Sequence, residues 1–243
     1  MKKYYFFAAL AVIGMVCSCN KDPKNNGGKE GEEETASFKV DGSFDDWKGS
    51  SIATADLSGI EETSYENLHV MKAAADSKKV YFYFEYELED GQTIAPIDIL
   101  INSDGDASTG FTSWIWSKEG CGWDFMLESE NGFLGAGNTI TDLSDMAVYK
   151  FVEGNGQDAW DPGSKFEQQN VDDFIECKGS VKGGIAYFEM SILRSVINAN
   201  KAGKLAFGVT MTDATTGDWV TKGILPQSEE GIGSGDLLEV KLP

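Results

Sequence analysis

The chain has 243 residues, 41% of them apolar and 12% aromatic, enough to bury a sizeable core despite its acidity. Forty acidic residues against 20 basic ones leave a formal net charge of −20, which repels phosphate backbones and anionic lipid head groups, so no nucleic-acid partner is expected. One histidine, His69, and one arginine, Arg194, narrow the chemistry: no multi-histidine metal site can be built, and histidine-based nucleophilic catalysis would depend wholly on His69.

The chain opens with Met1-Lys2-Lys3 and an apolar run from Tyr4 to Val16. That run is too short to cross a bilayer as a helix, which takes about 20 residues. A basic start, a short apolar stretch and a small residue before the cut predict a secretory signal over residues 1–18. Val16-Cys17-Ser18-Cys19 resembles the lipobox of Gram-negative lipoproteins, whose signal peptidase cuts before a cysteine that is then acylated. Ser18 makes Cys19 the expected lipidation site, and bulky Val16 makes Cys17 a poorer one. An ordinary cleaved signal with incidental cysteines is the alternative. Residues 19–36 then form an acylated N-terminus and a flexible acidic linker, because Lys, Asp, Asn, Gly and Glu cannot offset the entropy of ordering. Lys21-Asp22 resembles the charged export signals of lipoproteins sent to the outer face of the outer membrane. The expected location is therefore the outer membrane, lipid-anchored, at the cell surface, with no other membrane attachment.

Residues 37–243 read as one β domain. Strand candidates are His69–Ala75, then Val80, Phe82, Phe84, Tyr86 and Leu88 alternating with Tyr81, Tyr83, Glu85 and Glu87. Ile97, Ile99 and Ile101 alternate with Asp98, Leu100 and Asn102, followed by Trp123–Glu128, Met146–Val152 and Asp173–Lys178. Ala186, Phe188, Met190 and Ile192 repeat the period, as do Leu205, Phe207, Val209 and Met211, and Leu237–Leu242 closes the chain. A period of two places one face on a core and the other toward solvent. Turn signals such as Lys182-Gly183-Gly184 separate the runs. A helix is expected only over Leu193–Asn200. The fold class is all-β: a single antiparallel β-sandwich, jelly-roll-like, with one short helix.

Phe38-Lys39-Val40-Asp41-Gly42-Ser43-Phe44-Asp45-Asp46-Trp47 resembles the "hydrophobic-Asp-Gly-x-x-Asp-Asp-Trp" opening of family 9-like carbohydrate-binding modules and their DOMON-like sandwich relatives. Asp76–Phe82 resembles their hairpin into an aromatic strand, and Asp98–Phe111 their strand into an acidic loop closed by Thr-Gly-aromatic. Tyr187-Phe188-Glu189-Met190-Ser191-Ile192 resembles their "aromatic-x-Glu-x-x-Ile" strand, although Leu193 stands where a proline is usual. Ala206–Val209 and the last strand complete the order. The resemblance implies a sandwich that binds polysaccharide or oligosaccharide.

Asn102, Asp104, Asp106 and Ser108 place oxygen donors at every second residue, a spacing that suits a structural calcium ion, with Asp98 and Asp124 as further carboxylates. The glycine and bidentate glutamate of an EF-hand are missing, and the alternative is an Asp-Gly turn whose carboxylates cap backbone amides. Asp106-Ala-Ser-Thr-Gly110 is echoed by Asp213-Ala-Thr-Thr-Gly217, either two loops at one rim of the sandwich or chance. Trp47 and Trp123 are predicted core residues. Trp114, Trp116 and Trp160, with Asp158, Asp161 and Trp219, form the candidate ligand site: exposed rings stack on the apolar faces of sugars while carboxylates bind hydroxyls. The alternative for each tryptophan is a plug in an open end of the sandwich. No nucleophile elbow, phosphate loop or dinucleotide fingerprint is present, so no catalytic residue is assigned. Rivals to glycan binding are a glycoside hydrolase or lyase using sandwich carboxylates, and a structural or adhesive lipoprotein that binds a protein. Cys121 and Cys177 are expected to remain buried thiols, the alternative being a disulfide between them in an oxidising compartment.

Overall fold

The computed structural model describes residues 38–49, 51–88, 97–111, 121–129, 134–135, 139–140, 146–151, 164–165, 173–199, 203–213, 220–227 and 237–243. Cys19, Trp114, Trp116, Asp158, Trp160, Asp161 and Trp219 lie outside the described residues. The strands are β1 (Ala53–Asp56), β2 (Leu68–Ala75), β3 (Lys79–Glu87), β4 (Ile97–Asn102), β5 (Phe125–Ser129), β6 (Leu134–Gly135) and β7 (Thr139–Ile140). They continue as β8 (Met146–Lys150), β9 (Ser164–Lys165), β10 (Ile175–Lys182), β11 (Ile185–Leu193), β12 (Lys204–Asp213), β13 (Val220–Leu225) and β14 (Leu238–Lys241).

These strands form two antiparallel sheets. The first has the order β1-β2-β3-β11-β10-β7-β6, and the second β13-β12-β4-β5-β8-β9 with β14 also on β12. Inward residues of both sheets make one core: Val80, Phe82, Phe84, Phe188, Met190, Ile99, Ile101, Leu127, Phe207 and Val209 are all fully or almost fully buried. Phe82 meets Phe207 edge-on across the sheets, with ring centroids 4.9 Å apart. Each such side chain contributes about 1.5–3 kcal/mol by leaving water. At one edge the chain entering β2 ties the sheets together, since Glu66 bridges Gly223 and Asn67 donates to the Lys222 carbonyl at 3.1 Å.

The simple in–out alternation holds for the core face and fails on the other face of each sheet. Tyr81 and Tyr83 are buried beneath Phe38, Val40, Phe44 and Trp47. Leu100 and Met126 are buried beneath Phe111, Cys121, Trp123 and Phe151. Segments from outside the strands thus add a third and a fourth layer. Trp47 and Trp123 are buried as expected, but in these outer clusters rather than in the central core. All six residues of β4 are buried, Leu100 among the residues of this outer cluster.

The expected helix at Leu193–Asn200 is corrected: Leu193 ends β11, and residues 194–199 form a run of turns. Val196 N donates to Leu193 O at 3.0 Å, Ala199 N reaches back to Arg194 O at 2.9 Å, and Asn198 sits at φ 55°. So short a segment gains little as an isolated helix. Instead the buried Arg194 guanidinium donates to the carbonyls of Ala199 and Asp76, pinning the turns to the β2–β3 hairpin. The described helical element is a four-residue 3-10 turn, Asp45–Lys48.

Candidate functional site

The opening segment lies as a strap across the outer face of the first sheet. Asp41 starts a turn by accepting from Ser43 N at 2.8 Å, and Gly42 takes φ 83°. The 3-10 turn that follows directs Trp47 inward. All three features converge on Glu189 of β11. One Glu189 carboxylate oxygen accepts from the amides of Asp41 (2.7 Å) and Gly42 (2.5 Å), and the other accepts from Trp47 Nε1 at 3.0 Å. Glu189 is only 1% exposed. Its burial, reinforced by the Asp41 charge, pushes the carboxyl above the usual glutamate range, although the three donors pull the other way. Lys72 adds a bond to the Trp47 carbonyl at 2.9 Å and stands 5.7 Å above the Tyr83 ring. Glu189 is therefore a fastener of the strap and does not face a ligand. The motif pointed to this strand, but no pattern in the sequence pairs a glutamate with amides 147 and 148 residues away.

The acidic loop after β4 is held by its own side chains. Asn102 accepts from Gly105 N at 2.7 Å and donates to the Cys121 carbonyl at 2.9 Å. Asp104 accepts from Asp106 N and from the Thr109 hydroxyl, and Asp106 accepts from Ser108 N and its hydroxyl. The Ser108 hydroxyl, and then its amide, hold the Asp106 carboxyl below the usual range. One Asp124 oxygen accepts from the amides of Ser103 (2.7 Å) and Asp104 (3.1 Å); burial pushes its carboxyl up. Asp98 is not at this loop but earlier on β4, where it accepts from the Thr210 hydroxyl at 3.2 Å. Among the described residues no three His, Cys, Asp or Glu gather around a metal position. The four candidate ligands are thus brought onto one loop, whose side chains cap its own backbone amides.

Two left-handed glycines let this loop lie on the chain that returns to β5. A Cβ on Gly122 (φ 59°) would come within 2.3 Å of the Asp106 carbonyl oxygen, and one on Gly110 (φ 62°) within 2.3 Å of that of Trp123. No side chain fits at either place.

The described residues also locate the roots of the tryptophan-bearing segments. Phe111 and Trp123, which flank the segment with Trp114 and Trp116 in the sequence, exchange two backbone hydrogen bonds, 2.8 and 2.9 Å. Phe151 is the last described residue before the segment with Asp158, Trp160 and Asp161. Phe111 and Phe151 stack, centroids 5.0 Å apart and planes at 17°. The described residues that precede the two segments are thus brought together, a convergence the sequence reading missed because neither phenylalanine was singled out there.

Trp219 has a different root. Its neighbour Val220 pairs with Asp213 at the far end of β12, whereas Asn102, which starts the acidic loop, pairs with Ala206 near the beginning of that strand. The seven residue steps from Ala206 to Asp213 span roughly 23 Å. Of the two readings of the echoing loops, the strand roots favour chance similarity over a shared rim, since they stand at opposite ends of the sheet.

Cys121 and Cys177 are not bridged. Cys177 lies in the central core under the first sheet, and Cys121 in the cluster on the outer side of the second. A sheet stands between them. Burial pushes the Cys177 thiol well above its ordinary value.

No known family profile matches this chain, and no curated protein matches it. Among solved structures, it is similar to a carbohydrate-binding module of family 9 from Caldicellulosiruptor kristjanssonii in complex with cellotriose, at 12% identity and a TM-score of 0.44, over 85% of this chain and 89% of that one. It is also similar to a family 9 module from the same organism in complex with glucose, at 12% identity and a TM-score of 0.43, over 85% and 92% of the two chains.

Proposed function

We propose that this protein is an outer-membrane lipoprotein, acylated at Cys19 and facing the cell surface, whose β-sandwich binds a glycan without cleaving it. The observation that supports this reading is the Phe111–Phe151 stack, which brings together the two described residues that precede the Trp114/Trp116 and Trp160 segments in the chain. Aromatic rings offered there, with Asp158 and Asp161 beside Trp160, supply the two contacts a sugar needs: an apolar ring face and hydroxyl acceptors. Trp219 is left out of this site because its strand root stands at the other end of the sheet. The motif glutamate, Glu189, is committed to three strap donors, which favours binding over carboxylate catalysis.

A glycan-array screen of the soluble form from residue 37 onward, with a reducing-end assay on each hit, tests the proposal. Binding without released reducing ends supports it. Released ends would favour a hydrolase or lyase, and capture of a protein with no glycan hit would favour an adhesive role.

A further inference from the structure

No further inference is drawn: the strongest candidate, the cleft of about 500 Å³ between β1, β2 and β14 beside Phe38, has a floor of alanines (Ala53, Ala73, Ala74 and Ala75), and nothing in the structure shows what covers it.

Discussion

Trp47 donates its indole N–H to the Glu189 carboxylate at 3.0 Å, across 142 residues of sequence. This bond fixes the beginning of the domain on a central strand of the first sheet, so the strap and β11 hold or fail together. Removing the carboxylate leaves three donors without their acceptor in a buried place. Glu189→Ala should therefore cost about 2–4 kcal/mol, and Glu189→Gln less, because one amide oxygen still accepts. Urea denaturation measures both.

The same group sets a pH dependence. Its carboxyl is raised in the folded protein, so the native state holds this proton more tightly than the unfolded chain does. The resulting stability is fully present below the ordinary glutamate value and is lost as pH rises through the raised one. The margin of wild type over Glu189→Gln should accordingly be larger at about pH 4 than at about pH 7. An equal or smaller margin at the lower pH would show that the three donors outweigh burial.

Tyr86 presents a different case. It is fully buried in the central core, and its hydroxyl meets no hydrogen-bond partner among the described residues. Deleting an unpaired buried hydroxyl while keeping the ring removes a desolvation cost, so Tyr86→Phe should stabilise by about 1 kcal/mol. A higher melting temperature checks this; a lower one would mean that the hydroxyl is bonded.

Most of the strand framework was legible in the sequence. β3, β4, β11 and β12 carry unbroken apolar alternation, and their inward residues form the central core. The outer layers were not legible, because Tyr81, Leu100 and Asn102 read as solvent-facing until Trp47 or Trp123 is folded over them. Periodicity reports which face of a strand is apolar, not what a distant segment lays on the other. β1 and β13 also escaped: Ala53–Asp56 is short and edge-placed, and Val220–Leu225 is interrupted by Gly223. In the candidate site, residue types were readable and spatial relations were not. The registers of β4, β5 and β12 were needed to bring Phe111 to Phe151 and to send Val220 to the opposite end.

At the acidic loop, side chains and backbone amides already satisfy one another. Chelation should leave the melting temperature unchanged, whereas Asn102→Ala, which cuts the links to Gly105 and Cys121, should lower stability by about 1–3 kcal/mol. A chelator-induced drop that calcium restores would instead place an ion among Asn102, Asp104, Asp106 and Ser108, since a ligand bound only by the native state stabilises it.

Lipidation is read by metabolic labelling with radioactive palmitate. Cys19→Ala should lose the label and yield a soluble or unprocessed protein, while Cys17→Ala still labels. Loss of label in the Cys17 variant would move the cleavage site.

The central claim is that Trp114, Trp116 and Trp160 bind sugar together. Isothermal titration of wild type and the Trp114→Ala/Trp116→Ala/Trp160→Ala variant with the strongest array glycan tests it most directly, with melting curves to confirm that the variant is folded. Three lost stacking contacts at about 0.5–1.5 kcal/mol each predict an affinity weakened by roughly 10-fold to more than 1,000-fold at unchanged melting temperature. A folded variant that binds the glycan as tightly as wild type would contradict the account.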